Sequence, residues 1–147
     1  MRMKKILLAK KEHLCLVADI EKMVFSDPCS ESGLEIFLDE KNLCVCCFEG
    51  DTLVSYCTLL TVLDEAQIIN VATHPDCRGR GYAKDVMSAV FDECKKREIA
   101  FISLEVRESN EAAIKLYKSF GFTVEGKRKD FYKNPRENAL VMIKKLD

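Results

Sequence analysis

The segment Arg78-Gly79-Arg80-Gly81-Tyr82-Ala83 stands between a strand and a helix, and that placement constrains the fold more than any other feature of the chain. Ahead of it, Ala66 to Thr73 is rich in β-branched residues and predicts a strand. His74 to Arg80 is a polar, Gly-containing loop. Behind it, Ala83, Val86, Met87, Val90, Phe91 and Cys94 mark one face of an amphipathic helix. Ile99 to Val106 is then nearly all apolar and suits a strand buried on both sides. A helix start presents unpaired N–H groups and roughly +0.5 of a charge. Gly79 and Gly81 let the backbone turn and approach an anion closely. Together these features describe a pyrophosphate site, with Tyr82 and Ala83 opening the helix and Arg78, Arg80 and Lys84 adding charge. A surface turn with two arginines is the plainer alternative. An RNA-binding reading is weaker, because Arg-Gly segments of that kind are repetitive and disordered. Neither the triphosphate loop G-x-x-x-x-G-K-[ST] nor the full G-x-G-x-x-G fingerprint is present.

The rest of the chain supplies a complete α/β pattern. Lys4 to Ala9 predicts a first strand. Leu16, Val17, Ile20, Met23 and Val24 fall at helical spacing, and Asp27-Pro28 ends that helix. Leu34, Phe37 and Leu38 predict a second, short helix capped by Ser30. Leu43 to Phe48 and Leu53 to Leu63 are strands, with turns at Glu49-Gly50-Asp51 and Asp64-Glu65. Ser109 is placed as the N-cap of a helix running to Phe120, with Gly121 as its stop. Phe122 to Gly126 and Ala139 to Ile143 predict two last strands. The order is strand, two helices, three strands, helix, strand, helix, two strands, a single mixed α/β domain over residues 1–147.

Composition narrows the partners. A chain of 147 residues forms one substantial core. A net charge of -1 argues against a nucleic-acid partner, which calls for a basic excess. No apolar run approaches the ~20 residues of a membrane span. Ile6-Leu7-Leu8-Ala9 is too short for a signal-peptide core, and no small-residue cleavage site follows it. A cytoplasmic protein with no membrane partner is expected. The eight cysteines include the C-x-x-C spacing Cys44-Val45-Cys46-Cys47, which suggests zinc or redox chemistry. The other cysteines are scattered, and the only histidines are His13 and His74. Because Leu43 to Phe48 also reads as a buried strand, reduced core thiols and no metal are the expectation.

Arg78-x-x-Gly81-x-Ala83, opening a helix after a strand, resembles the coenzyme A signature [QR]-x-x-G-x-[GA] of the GNAT superfamily. The likeness continues through Val62-Leu63-Asp64-Glu65-Ala66 and Asn70-Val71-Ala72. It is strongest in the block that runs from Leu104-Glu105-Val106-Arg107 through Ser109-Asn110, Ala113-Ile114 and Leu116-Tyr117 to Gly121-Phe122. Arg128-Lys129, Tyr132 and Glu137-x-Ala139-Leu140 resemble the carboxy-terminal hairpin of the RimI type of that family. The resemblance implies a mixed, mostly antiparallel central sheet, splayed between strands 4 and 5, with four helices. It implies acetyl-CoA as co-substrate and a protein or peptide N-terminus as acceptor, with a small-subunit ribosomal protein as the type case.

The resemblance also assigns roles. Glu105 would be the general base, and on strand alternation it shares a face with Phe101, Ser103 and Arg107. A carboxylate in an apolar strand can have a raised pKa, although pairing with Arg107 is the ordinary alternative. Tyr117 would be the general acid beside the thioester sulfur. A plain core tyrosine, sharing a face with Ala113, Ile114 and Phe120, is the alternative. Asn110 would bond the cofactor or help cap the helix. The strand ending Val71-Ala72-Thr73 would pair with pantetheine through freed backbone groups, and its N–H groups would polarise the thioester carbonyl. An α-amine, with a pKa of ~8, is already partly neutral near neutral pH. A lysine near ~10.4 needs roughly 3.4 kcal/mol more, which favours a terminal amine.

Three positions depart from the family pattern. Pro28-Cys29-Ser30 stands where Pro-Trp-Ser is common, Glu137-Asn138 where Glu-Asp is common, and His74 where an acidic or apolar residue is common. The first predicts a reshaped peptide entrance, and His74 reads as a loop residue. Rival functions are acetylation of a small amine or lysine side chain, a non-catalytic acyl-CoA-binding module, and a C-x-x-C metal or redox protein.

Overall fold

The computed structural model describes residues 3–146; Met1, Arg2 and Asp147, the ends of the expected domain, lie outside the described residues. The elements are β1 (Lys4–Leu8), α1 (Leu14–Val24), a 3-10 helix (Gly33–Leu38), β2 (Leu43–Glu49), β3 (Thr52–Val62) and β4 (Glu65–Thr73). They continue as α2 (Tyr82–Lys96), β5 (Phe101–Arg107), α3 (Glu111–Ser119), β6 (Thr123–Lys133) and β7 (Arg136–Lys145). One sheet runs in the order β1-β2-β3-β4-β5-β7-β6. Every neighbouring pair is antiparallel except β4 and β5. That parallel pair holds only at Glu65–Phe101, Ala66–Ile102 and Gln67–Ser103, after which the strands part. This is the expected mixed α/β fold with a splay between strands 4 and 5.

Two apolar layers sandwich the sheet. On one face Val86, Met87, Val90 and Cys94 of α2 pack over β2, β3 and β4, in an apolar layer that continues through Ile102, Leu104 and Val106 of β5 and Met142 of β7. On the other, Leu14, Val17 and Ile20 of α1 pack with Leu34, Phe37 and Tyr56. Each such side chain contributes about 1.5–3 kcal/mol on burial. The α1 stripe differs from expectation at one place: Met23 is 56% exposed, while Glu21 is fully buried. Ser30 does serve the 3-10 helix, its hydroxyl oxygen accepting from the Gly33 N–H at 3.0 Å. At α3 the cap is Asn110 rather than Ser109: Asn110 Oδ1 accepts from the Ala113 N–H at 3.2 Å, while the Ser109 N–H donates to Glu137 Oε2 at 2.6 Å.

The last two strands are much longer than the sequence pattern implied. Residues 125–133 are almost all polar and carry no apolar alternation, so the pattern ends early. They nevertheless form the outer strand of the sheet, pairing with β7 at Gly126 to Arg128 and at Tyr132 and Lys133 with a bulge at each break, and lysines and arginines suit that open edge. A β-bulge in β4 has a different origin. Thr58 lies opposite Asn70 and Leu59 opposite Ile68, so Ile69 is the extra residue. The bulge reverses the alternation: Ala66 and Ile68 face the α2 layer, whereas Ala72 faces the α1 layer.

The cysteine question resolves on geometry. Cys44 and Cys46 face the α1 layer and Cys47 the α2 layer, so the two ends of the C-x-x-C point to opposite faces of β2. All eight cysteines are free, and no group of three or more metal-ligating side chains occurs among the described residues. Burial pushes the Cys94 thiol up to about 11. The Cys57 thiol is raised by burial, and the Cys44 thiol by its hydrogen bond with Cys46 and by burial. Thiols held protonated react slowly. Brief alkylation of the native protein at pH 8 is therefore expected to label exposed Cys15 first and half-buried Cys29 and Cys77 more slowly. The five buried cysteines are expected to label only after unfolding. Rapid labelling of Cys44 or Cys47 in the folded protein, or near one zinc per chain, would overturn their role as core residues.

Among the described residues, no helix is long and apolar enough to cross a membrane.

Candidate active site

A cleft of about 760 Å³ opens where β4 and β5 part. It is walled by Gln67 to Val71 of β4, Leu104 to Arg107 of β5, Asn110, Ala113 and Tyr117 near or on α3, and Phe131 and Tyr132 of β6. Phe25 and Ser26, beyond the end of α1, close its other side. Ile102, Leu104 and Val106 belong to the α2 layer, so Glu105 alternates to the α1 face. Tyr117 packs against the α2 layer. The gap is thus a slot through the sheet, with Glu105 toward one face and Tyr117 toward the other.

Glu105 is largely enclosed, its side chain 13% exposed. Its partner is not Arg107. Gln67 Nε2 donates to Glu105 Oε1 at 3.1 Å, and Arg128 Nε lies 3.7 Å from the same oxygen. Arg107 is committed elsewhere: it pairs with Glu137 at 3.2 Å, donates to the carbonyls of Pro135 and Asn134, and lies 4.3 Å over the Tyr132 ring. The hydrogen bonds from Ser109 and then Arg107 hold the Glu137 carboxyl below its ordinary value. The neighbouring departure, Asn138, accepts from the Asp130 N–H through Oδ1 at 2.9 Å, as an aspartate oxygen would. On the other face, burial raises the Tyr117 hydroxyl above the ordinary tyrosine pKa, with smaller contributions from Cys57 and Tyr132. That hydroxyl makes no hydrogen bond among the described residues, which suits a proton donor to a guest.

The freed edge of β4 presents alternate residues. The Ala72 carbonyl accepts from Ser55 Oγ at 2.9 Å and the His74 N–H donates to the Val54 carbonyl at 2.8 Å, so both are turned to β3. By alternation Val71 and Thr73 turn their N–H and C=O groups to the gap. Ala72 therefore differs from expectation: its backbone is occupied by β3. His74 is a loop residue, its Nδ1 accepting from the Asp76 N–H at 3.1 Å.

Past the end of β4, no backbone N–H from Arg78 through Lys84 donates to another group of the chain among the described residues. Gly79 and Gly81 hold φ of 80° and 83°, a conformation glycine adopts without strain. Arg78, Arg80 and Lys84 are exposed and make no ion pair among the described residues. Two carboxylates near this helix start are engaged elsewhere: Glu49 accepts from the Tyr82 hydroxyl, and Asp85 pairs with Lys4 at 2.6 Å. The Tyr82 side chain thus turns inward, leaving only its N–H toward the loop. A run of free N–H donors flanked by three free cations fits a pyrophosphate. These residues lie beyond the cleft lining.

Sequence reasoning missed Glu21, Gln67 and the side chain of Asn70. Glu21 had a signal: Leu14, Val17 and Ala18 precede it at spacings that put it on the buried face of α1. Cys29, in place of the common tryptophan, packs partly against the α1 layer, and Phe25 and Ser26 form the cleft wall instead.

Comparison with known proteins agrees with this geometry. The acetyltransferase (GNAT) family profile matches residues 12–122. A [ribosomal protein bS18]-alanine N-acetyltransferase from Haemophilus ducreyi is 40% identical over 97 residues, covering 64% of this chain and 67% of that protein. The protein of that name from Escherichia coli is 34% identical over 125 residues, 84% of each chain. The crystal structure of the ribosomal-protein-S18-alanine N-acetyltransferase from Escherichia coli superposes with a TM-score of 0.91 at 31% identity, over 99% of this chain and 95% of that one.

Proposed function

The chain belongs to the acetyltransferase (GNAT) family and is an acetyl-CoA-dependent N-acetyltransferase; we propose that its acceptor is a protein N-terminus, with the alanine of ribosomal protein bS18 named for its relatives as the leading candidate. A ribosomal acceptor implies a cytoplasmic enzyme, and the whole chain, 1–147, acts as one acetyltransferase domain. The observation that carries this reading is the slot through the sheet, open to α1 on the Glu105 side and to α3 on the Tyr117 side.

Acetyl-CoA supplies an activated acetyl thioester. Residues Arg78 to Lys84 hold its phosphates through backbone N–H groups and charge, and Val71 and Thr73 offer the freed edge of β4 to its amide chain. Asn110, already the cap of α3, lines the same slot. The Val71 N–H is suited to polarise the thioester carbonyl. Glu105, oriented by Gln67 and Arg128, takes a proton from the amine directly or through water. Tyr117 keeps its proton because burial raises its pKa, and so has one to give to the departing thiolate.

Mass-spectrometric acetylation of a peptide panel tests the acceptor. A peptide starting with alanine is expected to gain one acetyl group on its α-amine, ahead of small amines and of N-terminally blocked peptides bearing lysine. Turnover confined to small amines or lysine side chains would replace this acceptor class.

A further inference from the structure

The α1 face of the slot holds a second polar group that the chemistry above does not use. Glu21 is fully buried, and four hydrogen bonds from three donor groups, on two strands and a loop, converge on it. The Tyr56 hydroxyl of β3 donates to Oε2, and the Cys29 N–H donates to Oε1 at 3.0 Å. Asn70 Nδ2 donates to both oxygens, at 3.1 and 3.0 Å. The Tyr56 hydroxyl and the Cys29 N–H both donate to the Glu21 oxygens, which therefore act as acceptors toward Asn70 and fix which end of its amide faces them. The NH2 must point to Glu21, and Oδ1 must point away. Asn70 lines the cleft, and its Oδ1 has no partner among the described residues. The backbone is fixed as well: the Asn70 N–H donates to Thr58 Oγ1 at 3.1 Å, just past the bulge that turns this side chain to the α1 face.

We propose that Asn70 binds the acceptor amine through Oδ1, and that buried Glu21 is the positioning residue that keeps that oxygen facing the cleft. The proposal rests on the amine-acetylation reading above. A neutral primary amine has two N–H bonds and one lone pair. Glu105 and Asn70 Oδ1 both offer acceptors from the α1 face of the slot. Engaging both N–H bonds there leaves the lone pair directed through the gap, toward the Tyr117 face where the acetyl group arrives. A secondary amine has one N–H and leaves one acceptor unsatisfied, so the pair selects primary amines.

The test compares a peptide starting with alanine and the same peptide starting with N-methylalanine. Wild type is expected to acetylate the first and strongly disfavour the second; failure to acetylate any peptide would reject the acceptor reading itself. Asn70→Ala is expected to raise KM for the alanine peptide roughly 10- to 100-fold, the range for a hydrogen bond to a charged or strongly polar partner. It should also shrink the preference for the primary amine, with calorimetric acetyl-CoA affinity unchanged. Glu21→Gln keeps the shape and one acceptor oxygen, enough for the Cys29 N–H; its NH2 takes the other oxygen's place, so the Tyr56 hydroxyl accepts instead of donating and the Asn70 amide turns around, and KM rises there too. In the double variant the Glu21→Gln effect on KM is expected to vanish. An unchanged KM and unchanged amine preference in folded Asn70→Ala would overturn the proposal. So would a Glu21→Gln effect that persists in full without Asn70.

Discussion

Glu105→Gln is expected to lower turnover on a well-used peptide by about 10²–10⁴-fold, the usual contribution of general acid–base catalysis. The substitution keeps the shape and removes the base. Gln67 and Arg128 still face the side chain, so its position is little altered. Acetyl-CoA affinity is expected to hold, because the phosphates and amide chain meet other residues. Tyr117→Phe is expected to lower turnover as well and to cost some donor affinity. The pH profile separates the roles. Wild type loses rate at low pH as the base or the amine is protonated, and Glu105→Gln is expected to show a smaller or shifted acid limb. At the alkaline end the sign follows from Tyr117. Its raised pKa keeps the proton in place past the ordinary tyrosine value of about 10, so no loss from this group is expected below that pH. Near-wild-type turnover in both variants would leave catalysis to positioning and to an amine that arrives already neutral.

Gly81→Asp is expected to weaken acetyl-CoA binding by roughly 5- to 1,000-fold. Unit charges 4 Å apart repel by about 1 kcal/mol in bulk water and about 4 kcal/mol at an effective dielectric of 20, which brackets that range. A Cβ at Gly81 meets nothing within 4 Å, so the added group fits in space, and the cost inside the free protein is the positive φ of 83°. Aspartate and asparagine tolerate that conformation better than other side chains. Gly81→Asn therefore isolates the charge: it carries the same backbone strain and is expected to lose much less affinity. Calorimetric titration reads both. Equal affinity in Gly81→Asp and wild type, with the fold intact, would remove the phosphates from this loop.

What the sequence disclosed follows the physics of each element. The β4–loop–α2–β5 unit was legible because apolar period, glycine placement and charge all agree there. The motif singled out Glu105 and Tyr117, and both line the slot, yet which layer each faces was not legible, since the side of a sheet a residue occupies depends on layers packed later. The bulge at Ile69 left no local signal: β4 reads as an unbroken strand, and only its pairing with β3 reveals the extra residue. Residues 127–133 were lost for the opposite reason. They form a strand through backbone pairing with β7 on either side of a bulge, and their side chains, mostly charged apart from Phe131 and Tyr132 at the cleft, carry no apolar alternation. The Arg107–Glu137 pair was equally hidden, because near-equivalent polar neighbours compete for the same donors; the capping role offered for Asn110 is the one the structure shows.

The short β4–β5 pairing has a mechanical meaning. The protein is two plates, β1 to β4 with α1 and α2, and β5 to β7 with α3, hinged along a seam three residue pairs long. Beyond that seam the plates are joined chiefly by the apolar layer under α2. A donor molecule lodged in the gap, bonded to the free edge of one plate and to residues of the other, acts as a rivet across the hinge. Occupancy and cohesion are therefore linked, and the protein's resistance to unfolding rises with free donor concentration above its dissociation constant.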